Sequence, residues 1–214
     1  MCNLYSMTTN QEAMRRLTRV FRDSLGNQPP LPTILPDQLA PVIRLDANGG
    51  RTLDRLRWGF PRLLKLSAAG AAGNRPVTNV RNYASSYWRG WLKPGFRCLV
   101  PATSFCEYTD SQPKVPHWFA LDDDRPLFAF AGIWRPWTGE RKKETREHLL
   151  FSFLTTEAND VVRPIHAKAM PVMLTTAEEC DVWLSADVED ALKLQRPLPA
   201  DQLKVVAKGE RKDG

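Results

Sequence analysis

The stretch from Phe96 to Ile133, FRCLVPATSFCEYTDSQPKVPHWFALDDDRPLFAFAGI, decides the fold class. Apolar and aromatic residues come in short runs, Phe96–Val100, Ser104–Thr109, His117–Leu121 and Leu127–Ile133, separated by Pro, Asp, Ser and Lys. Such punctuation marks successive β-strands. Leu149–Thr155 adds another run downstream. Upstream, Ala40–Asp46 and Arg51–Phe60 read as two strands joined around Asn48-Gly49, a strong hairpin signal.

Helical signals lie outside this strand-rich centre. Residues 9 to 23 predict a helix with Thr9 as N-cap and Met14, Leu17, Val20 and Phe21 in one apolar stripe. Tyr83–Leu92 and Asn159–Ile165 predict two more. Thr176 with Glu179 makes a capping box for a helix carrying Val182, Trp183 and Leu184. The proline-rich stretch from Pro29 to Pro41 reads as an ordered irregular loop, and Ser67–Arg75 as a small surface loop too short to link domains. Strands are expected at Pro171–Leu174 and Gln202–Ala207. The pattern predicts an α+β fold: one domain over residues 1–208, with a strand-rich, mostly antiparallel twisted sheet or barrel-like core and flanking helices. A charged flexible tail, 209–214, is expected to fray.

Composition narrows the function. Of 214 residues, 43% are hydrophobic and 25% charged, which is globular rather than disordered. No apolar run approaches a membrane span, and MCNLYSMTTNQ lacks the charged and apolar regions of an export signal. A cytoplasmic protein with no membrane partner is expected. The four cysteines, Cys2, Cys98, Cys106 and Cys180, include no Cys-x-x-Cys, and there are three histidines. That spacing is not a zinc pattern, and a reducing cytosol disfavours disulfides. Neither metal nor cofactor is expected. A net charge of +6 fits a nucleic-acid partner without requiring one.

Cys2 is the most informative residue. Methionine aminopeptidases remove Met1 before a small second residue, leaving an α-amine and a thiol on adjacent carbons. Their usual pKa values, ~7.7–8.0 and ~8.5, make both nucleophilic near neutral pH. A 1,2-aminothiol meets an aldehyde in two steps: the amine forms a Schiff base, then the thiol closes on the imine carbon to give a thiazolidine. Closure is intramolecular and so carries a large effective molarity. Position alone equally suits a cysteine buried in a first strand.

Other residues offer partners for this chemistry, each with a plainer reading beside it. Glu107, in an apolar and aromatic strand, would be desolvated and raised towards general acid–base use, or would face water at a strand edge. His166 sits at a predicted helix–strand junction, where a catalytic or a structural role fits. Asn79 could orient a substrate oxygen or cap a turn. Arg81, two residues on, shares its side in an extended segment and suits a phosphate contact, or is a solvated surface arginine.

Taken in order, these segments resemble the SRAP family of SOS-response-associated peptidase-like, abasic-site-processing proteins. The landmarks are Met-Cys at the start, Pro36-Asp-Gln-Leu-Ala-Pro-Val-Ile-Arg44, Arg57-Trp-Gly59, Asn79-Val-Arg81, Arg97-Cys-Leu-Val-Pro-Ala102, Phe105-Cys-Glu107, Ala131-Gly-Ile-Trp134, Leu154-Thr-Thr156, and His166 with Met170-Pro171. The resemblance implies a covalent thiazolidine crosslink between Cys2 and the ring-opened aldehyde of an abasic site in single-stranded DNA, shielding the lesion. It implies that Asn79 positions the sugar, Glu107 shuttles protons and His166 assists ring opening. Arg81 would hold phosphate, while Trp58 and the Pro36 loop would pack against bases or sugars. Asn3 and Lys168 complete the implied DNA-binding set. Weak lyase activity, peptide cleavage limited to exposing Cys2, a monomer, and association with the nucleoid on damaged DNA belong to the same expectation.

The chain departs from the family pattern in three places. Cys2-Asn3-Leu4 stands for Cys-Gly-Arg, Cys106-Glu107-Tyr108 for Tyr-Glu-Trp, and His-Ala-Lys-Ala-Met-Pro for His-x-Arg-Met-Pro, with Lys168 in place of the arginine. The leading alternative is an N-terminal-nucleophile cysteine amidohydrolase, for which Asn48-Gly49 would supply an oxyanion donor. A non-covalent single-strand binder and a protease are the others.

Overall fold

The computed structural model describes residues 2–9, 11–20, 22–26, 28–61, 76–141 and 143–213. Along them the chain forms strand β1 (Tyr5–Met7), helix α1 (Gln11–Thr18), and strands β2 (Arg22–Asp23), β3 (Leu31–Ile34), β4 (Leu39–Leu45), β5 (Arg51–Trp58) and β6 (Asn79–Val80). Helix α2 (Ser86–Arg89) precedes strands β7 (Arg97–Ala102), β8 (Ser104–Tyr108), β9 (Pro116–Ala120), β10 (Phe128–Arg141), β11 (Glu144–Thr156), β12 (Met170–Pro171) and β13 (Met173–Leu174). Helices α3 (Ala177–Ser185) and α4 (Val188–Leu192) and strand β14 (Lys204–Lys208) follow.

Strands β11, β10, β7, β4 and β5 pair antiparallel in that order. Strand β5 then meets β11 in parallel, Leu150 opposite Arg57 and Phe151 opposite Trp58, and closes the five into a barrel. A second sheet, ordered β14-β9-β8-β1-β3, packs against it through Tyr5. The Tyr5 ring meets Trp58 edge-on at 5.1 Å and Phe130 at 5.6 Å, and all three are fully buried. The expected α+β single domain with a barrel-like core is what forms. No helix among the described residues is long and apolar enough to cross a membrane.

The Asn48-Gly49 hairpin forms as expected. Asp46 accepts the backbone N–H groups of Asn48 and Gly50 on one carboxylate oxygen, and Gly49 adopts φ +78°. After β5, Gly59 turns at φ +117°, where a Cβ would fall 2.2 Å from the Pro76 side chain, so glycine is required. Thr176 caps α3 by accepting the Glu179 N–H, while the Glu179 carboxylate takes the N–H of Thr175 rather than that of Thr176.

Several boundaries differ. Helix α1 stops at Thr18, short of residue 23, because Arg19 turns to φ +52° and Asp23 pairs in a strand. The Pro29–Pro41 stretch is not all loop. It contains β3 and the start of β4, and Pro41 is tolerated because β7 pairs with β4 only at Ile43 and Arg44. The helix expected at Asn159–Ile165 is instead a run of turns over residues 160–165, stapled by Asn159, whose side chain accepts the N–H groups of Val161 and Val162. Strands β10 and β11 outrun their apolar cores into an arm where Trp137 stacks on His148 at 6.0 Å. The expected loop at Ser67–Arg75 lies outside the described residues.

The tail expected to fray is tied down at Asp213. Its buried carboxylate accepts from Ser6 (2.8 Å), Ser104 (2.5 Å) and the Arg125 guanidinium (2.8 Å). Three donors offset the desolvation of one charge. The chain's last turn thereby grips β1 and β8, the strands that carry Tyr5 and Glu107.

Candidate active site

Pairing of β1 with β8 lays the N-terminal residues alongside Phe105-Cys106-Glu107, and the Cys106 N–H donates to the Leu4 carbonyl at 2.9 Å. Strand β6, parallel to β11, delivers Asn79 from another part of the chain. Its amide donates to the Cys2 carbonyl at 2.8 Å and to the Thr78 hydroxyl at 2.7 Å. Thr78 in turn donates to the Asn3 side chain at 2.9 Å. The residue bearing both candidate nucleophiles is therefore held by its carbonyl. Asn79 Oδ1 is buried and accepts nothing within the described residues, which leaves one open acceptor beside Cys2.

Cys2, Asn79, Glu107 and His166, which are far apart in sequence, converge here, and none is more than 7% exposed. Burial pushes the Glu107 carboxyl up to about 7, with the N-terminal ammonium opposing and Asp110 adding to the rise. A carboxyl poised near neutrality can donate and accept protons under ordinary conditions. Burial also pushes the Cys2 thiol well above its ordinary range, helped by the Glu107 carboxylate, while the sulfur donates to the Leu4 carbonyl at 3.4 Å. The expectation of a thiol titrating near its usual value is corrected: desolvation keeps it protonated, so its proton needs an acceptor when sulfur attacks.

His166 lies between two carboxylates, Nε2 3.8 Å from Glu107 and Nδ1 3.2 Å from Asp110. Its pKa is lowered, first by burial and then by the N-terminal ammonium, with Asp110 opposing. The imidazole is thus neutral near pH 7, and its Nδ1 proton is assigned from the Asp110 contact. Asp110 was missed from sequence. It grips the loop before β12 three times, donating its N–H to the Ile165 carbonyl, accepting from Ala167 N–H and pairing with His166. Its position three residues past Glu107, where a strand becomes a turn, is the one signal that could have found it.

Beside this buried centre lies a cleft of about 300 Å³ lined by Arg81, Thr155, Thr156, Glu157, Lys168 and Gln195. It gathers two of the expected DNA contacts, both exposed. Arg81 follows Asn79 on extended backbone, and Lys168 is close enough to act electrostatically on His166 and Asp110. Asn3 is exposed but engaged with Thr78, and Pro36 lies half-buried in a turn. Trp58 does not fit its expected role. It is wholly buried, stacked on Phe153 at 5.2 Å and donating to the Thr78 carbonyl, so it supports β6 and offers no face to a base. Among the large hydrophobic side chains described, the exposed aromatic is Tyr108, 37% accessible, which follows Glu107 on β8 and so projects to the opposite face. Cys98, Cys106 and Cys180 are buried free thiols, as their dispersal suggested.

The family model described as SOS response associated peptidase (SRAP) matches residues 1–209. The abasic site processing protein YoqW of Bacillus subtilis (strain 168) is 31% identical over 186 residues, covering 83% of this chain and 78% of the relative. YobE of the same organism, with the same description, is 29% identical over 187 residues, covering 83% of this chain and 80% of the relative. A protein from Bordetella bronchiseptica shares the fold at TM-score 0.74 and 24% identity, covering 97% of this chain and 98% of its own. A Bacteroides thetaiotaomicron protein does so at 0.70 and 24%, covering 95% and 90%.

Proposed function

The chain belongs to the SOS response associated peptidase (SRAP) family, and from that premise we propose that it processes abasic sites in single-stranded DNA through Cys2. The observation that carries this reading is the enclosure of Cys2 with a carboxyl poised at about 7, its carbonyl held by Asn79. Removal of Met1 leaves the Cys2 amine as the first nucleophile. It adds to the ring-opened aldehyde, and Glu107 protonates the departing hydroxyl, so that water leaves and an iminium (a protonated imine) remains. The thiol then adds to the imine carbon. Its proton passes to the Glu107 carboxylate and restores the acid, while the nitrogen keeps the proton it carried in the iminium, and a thiazolidine closes with every proton accounted for. A thiol held protonated until that moment suits amine-first order.

Asn79 Oδ1 would accept a sugar hydroxyl, and neutral His166 would take the proton from the hemiacetal hydroxyl as the ring opens. Arg81 and Lys168 would pair with phosphates flanking the lesion. Withdrawal of a proton from the carbon next to the imine would expel the 3′ phosphate, giving weak lyase activity. Peptide cleavage is confined to exposing Cys2, and the chain acts as a monomer in the cytoplasm.

The rival amidohydrolase is disfavoured by the place of Asn48-Gly49. That pair forms the β4–β5 turn, roughly 20 Å along β4 from the end nearest Cys2, with Asn48 N–H bonded to Asp46. Intact-protein mass spectrometry after incubation with single-stranded DNA bearing one abasic site tests the proposal. The expected product lacks Met1 and carries a denaturation-resistant adduct on Cys2, absent from Cys2→Ala. A chain without Met1 that forms no adduct, but releases ammonia from glutamine, would overturn it.

A further inference from the structure

A second basic groove, outside the centre already described, lies where the barrel closes. Strands β5 and β11 run together at Arg57–Trp58 and Leu150–Phe151, and on the N-terminal side of those pairs β11 leaves β5 to form the arm with β10. The opening between them is a cavity of about 240 Å³, with Leu39, Arg55, Arg57, Arg146, Glu147 and His148 in its wall. Arg55 and Arg57 stand two apart on one strand, so both face the same side.

Positive charge predominates in this groove. Arg55 is held by the neutral amide of Gln28, at 2.8 and 3.2 Å, rather than by a carboxylate. Arg57 has one acid nearby, Asp37, at 3.8 Å, and Arg141 shares it at 3.9 Å. One carboxylate between two guanidinium groups leaves positive charge over. Arg57 is nevertheless nine-tenths buried, and its Nε has no hydrogen-bond partner among the described residues. Glu147 is the single acid in the wall.

Topology connects the groove to Cys2. Strand β3 runs antiparallel to β1 with Ile34 opposite Tyr5, so the residues after Ile34 emerge at the Cys2 end. They form the turn Leu35–Gln38, and the next residue, Leu39, pairs with Arg57 at the groove. The turn is rigid: Asp37 sits at φ +66°, donates its N–H to the Trp58 carbonyl at 2.8 Å, and accepts Arg57 on its own carbonyl at 2.6 Å. It presents two exposed leucines, Leu35 and Leu39, along the way.

We infer that this groove is a second binding site for the phosphate backbone of single-stranded DNA, engaging the strand after it passes the Leu35–Gln38 turn on its way from Cys2. Arg55 and Arg146 hold phosphates there, Arg57 sets the floor's positive field, and Leu35 and Leu39 contact sugars. The inference rests on the abasic-site reading above, and it makes length of DNA, rather than the lesion alone, a determinant of affinity.

Arg55 and Arg146 are exposed, so the double variant Arg55→Ala/Arg146→Ala removes charge without opening the core. Its binding should be measured, against salt, on an abasic oligonucleotide reaching only a few nucleotides past the lesion and on one several times longer. The long oligonucleotide is expected to bind roughly tenfold more weakly, with the salt slope reduced by about 0.7 for each phosphate no longer held. The short one should bind as to the unaltered protein, and adduct yield at saturating DNA should be unchanged. An unaltered slope on the long oligonucleotide, or equal weakening on both, overturns the groove while leaving Cys2 chemistry standing. A failure of the unaltered protein to form any adduct overturns the abasic-site reading and the groove with it.

Discussion

The buried centre around Cys2 and the exposed cleft around Arg81 and Lys168 meet at two short links, Asn79 to Arg81 and His166 to Lys168, yet they obey different physics. In the centre, burial pushes Glu107 up to about 7 and holds the Cys2 thiol protonated. The neighbouring side chains are fixed by bonds from distant parts of the chain: Asn79 on the Cys2 carbonyl and Asp110 on His166. In the cleft, guanidinium and ammonium groups stand in solvent, where each charge pair contributes little and salt screens it. The contrast teaches a division of labour. Proton chemistry needs exclusion of water, while gripping a flexible polyanion needs charges that stay solvated until contact.

The largest expected separation between the two regions comes from Glu107→Gln. It should slow adduct formation by ~10²–10⁴-fold and flatten the rate–pH profile near 7, with DNA affinity unchanged; rapid-quench rates from pH 5 to 9 would show it. Stability should move the other way. The folded protein keeps a proton on Glu107 that the unfolded chain gives up near ~4.3, so this group costs stability as pH rises from there to about 7. The glutamine variant escapes that cost, so its melting temperature should exceed the parent's at pH 8 by more than at pH 4. A parallel pH trend in both proteins would deny that Glu107 is desolvated.

Asp213→Ala probes how the buried side is held in place. It strips the partner from Ser6, Ser104 and Arg125 together, with an expected loss of about 3 kcal/mol in urea unfolding. Adduct formation should slow with it, because β1 carries Cys2 into the site. Arg81→Ala should produce the smallest change: weaker DNA binding and a salt slope lower by about 0.7, with the rate at saturating DNA intact. A slower rate at saturation would place Arg81 in the chemistry and dissolve the contrast.

Much of this was legible in the chain because it was local. The Asn48-Gly49 hairpin, the strand at Phe105-Cys106-Glu107 and the cap at Thr176 each depend on a handful of neighbouring residues whose backbone preferences agree. Cys2 announced its chemistry by carrying an amine and a thiol on adjacent carbons once Met1 is gone. Trp58 misled as a DNA contact because a tryptophan beside glycine and arginine reads the same whether it faces solvent or core, and only the parallel closure of β5 on β11 turns it inward. Asp110 was passed over for a related reason: its partner lies 56 positions away, brought close by the loop before β12.

What the sequence determined by itself was therefore the five strands of the barrel, the reactive pair at Cys2 and the residue types able to serve it. Tertiary structure decided the rest. The pairing of β1 with β8 and of β6 with β11 set Glu107 and Asn79 against Cys2, and enclosure there moved the proton affinities of Glu107 and the thiol. It also tied the tail to the first strand through Asp213. Such effects arise from water excluded by many residues at once, and no local stretch of sequence encodes that exclusion.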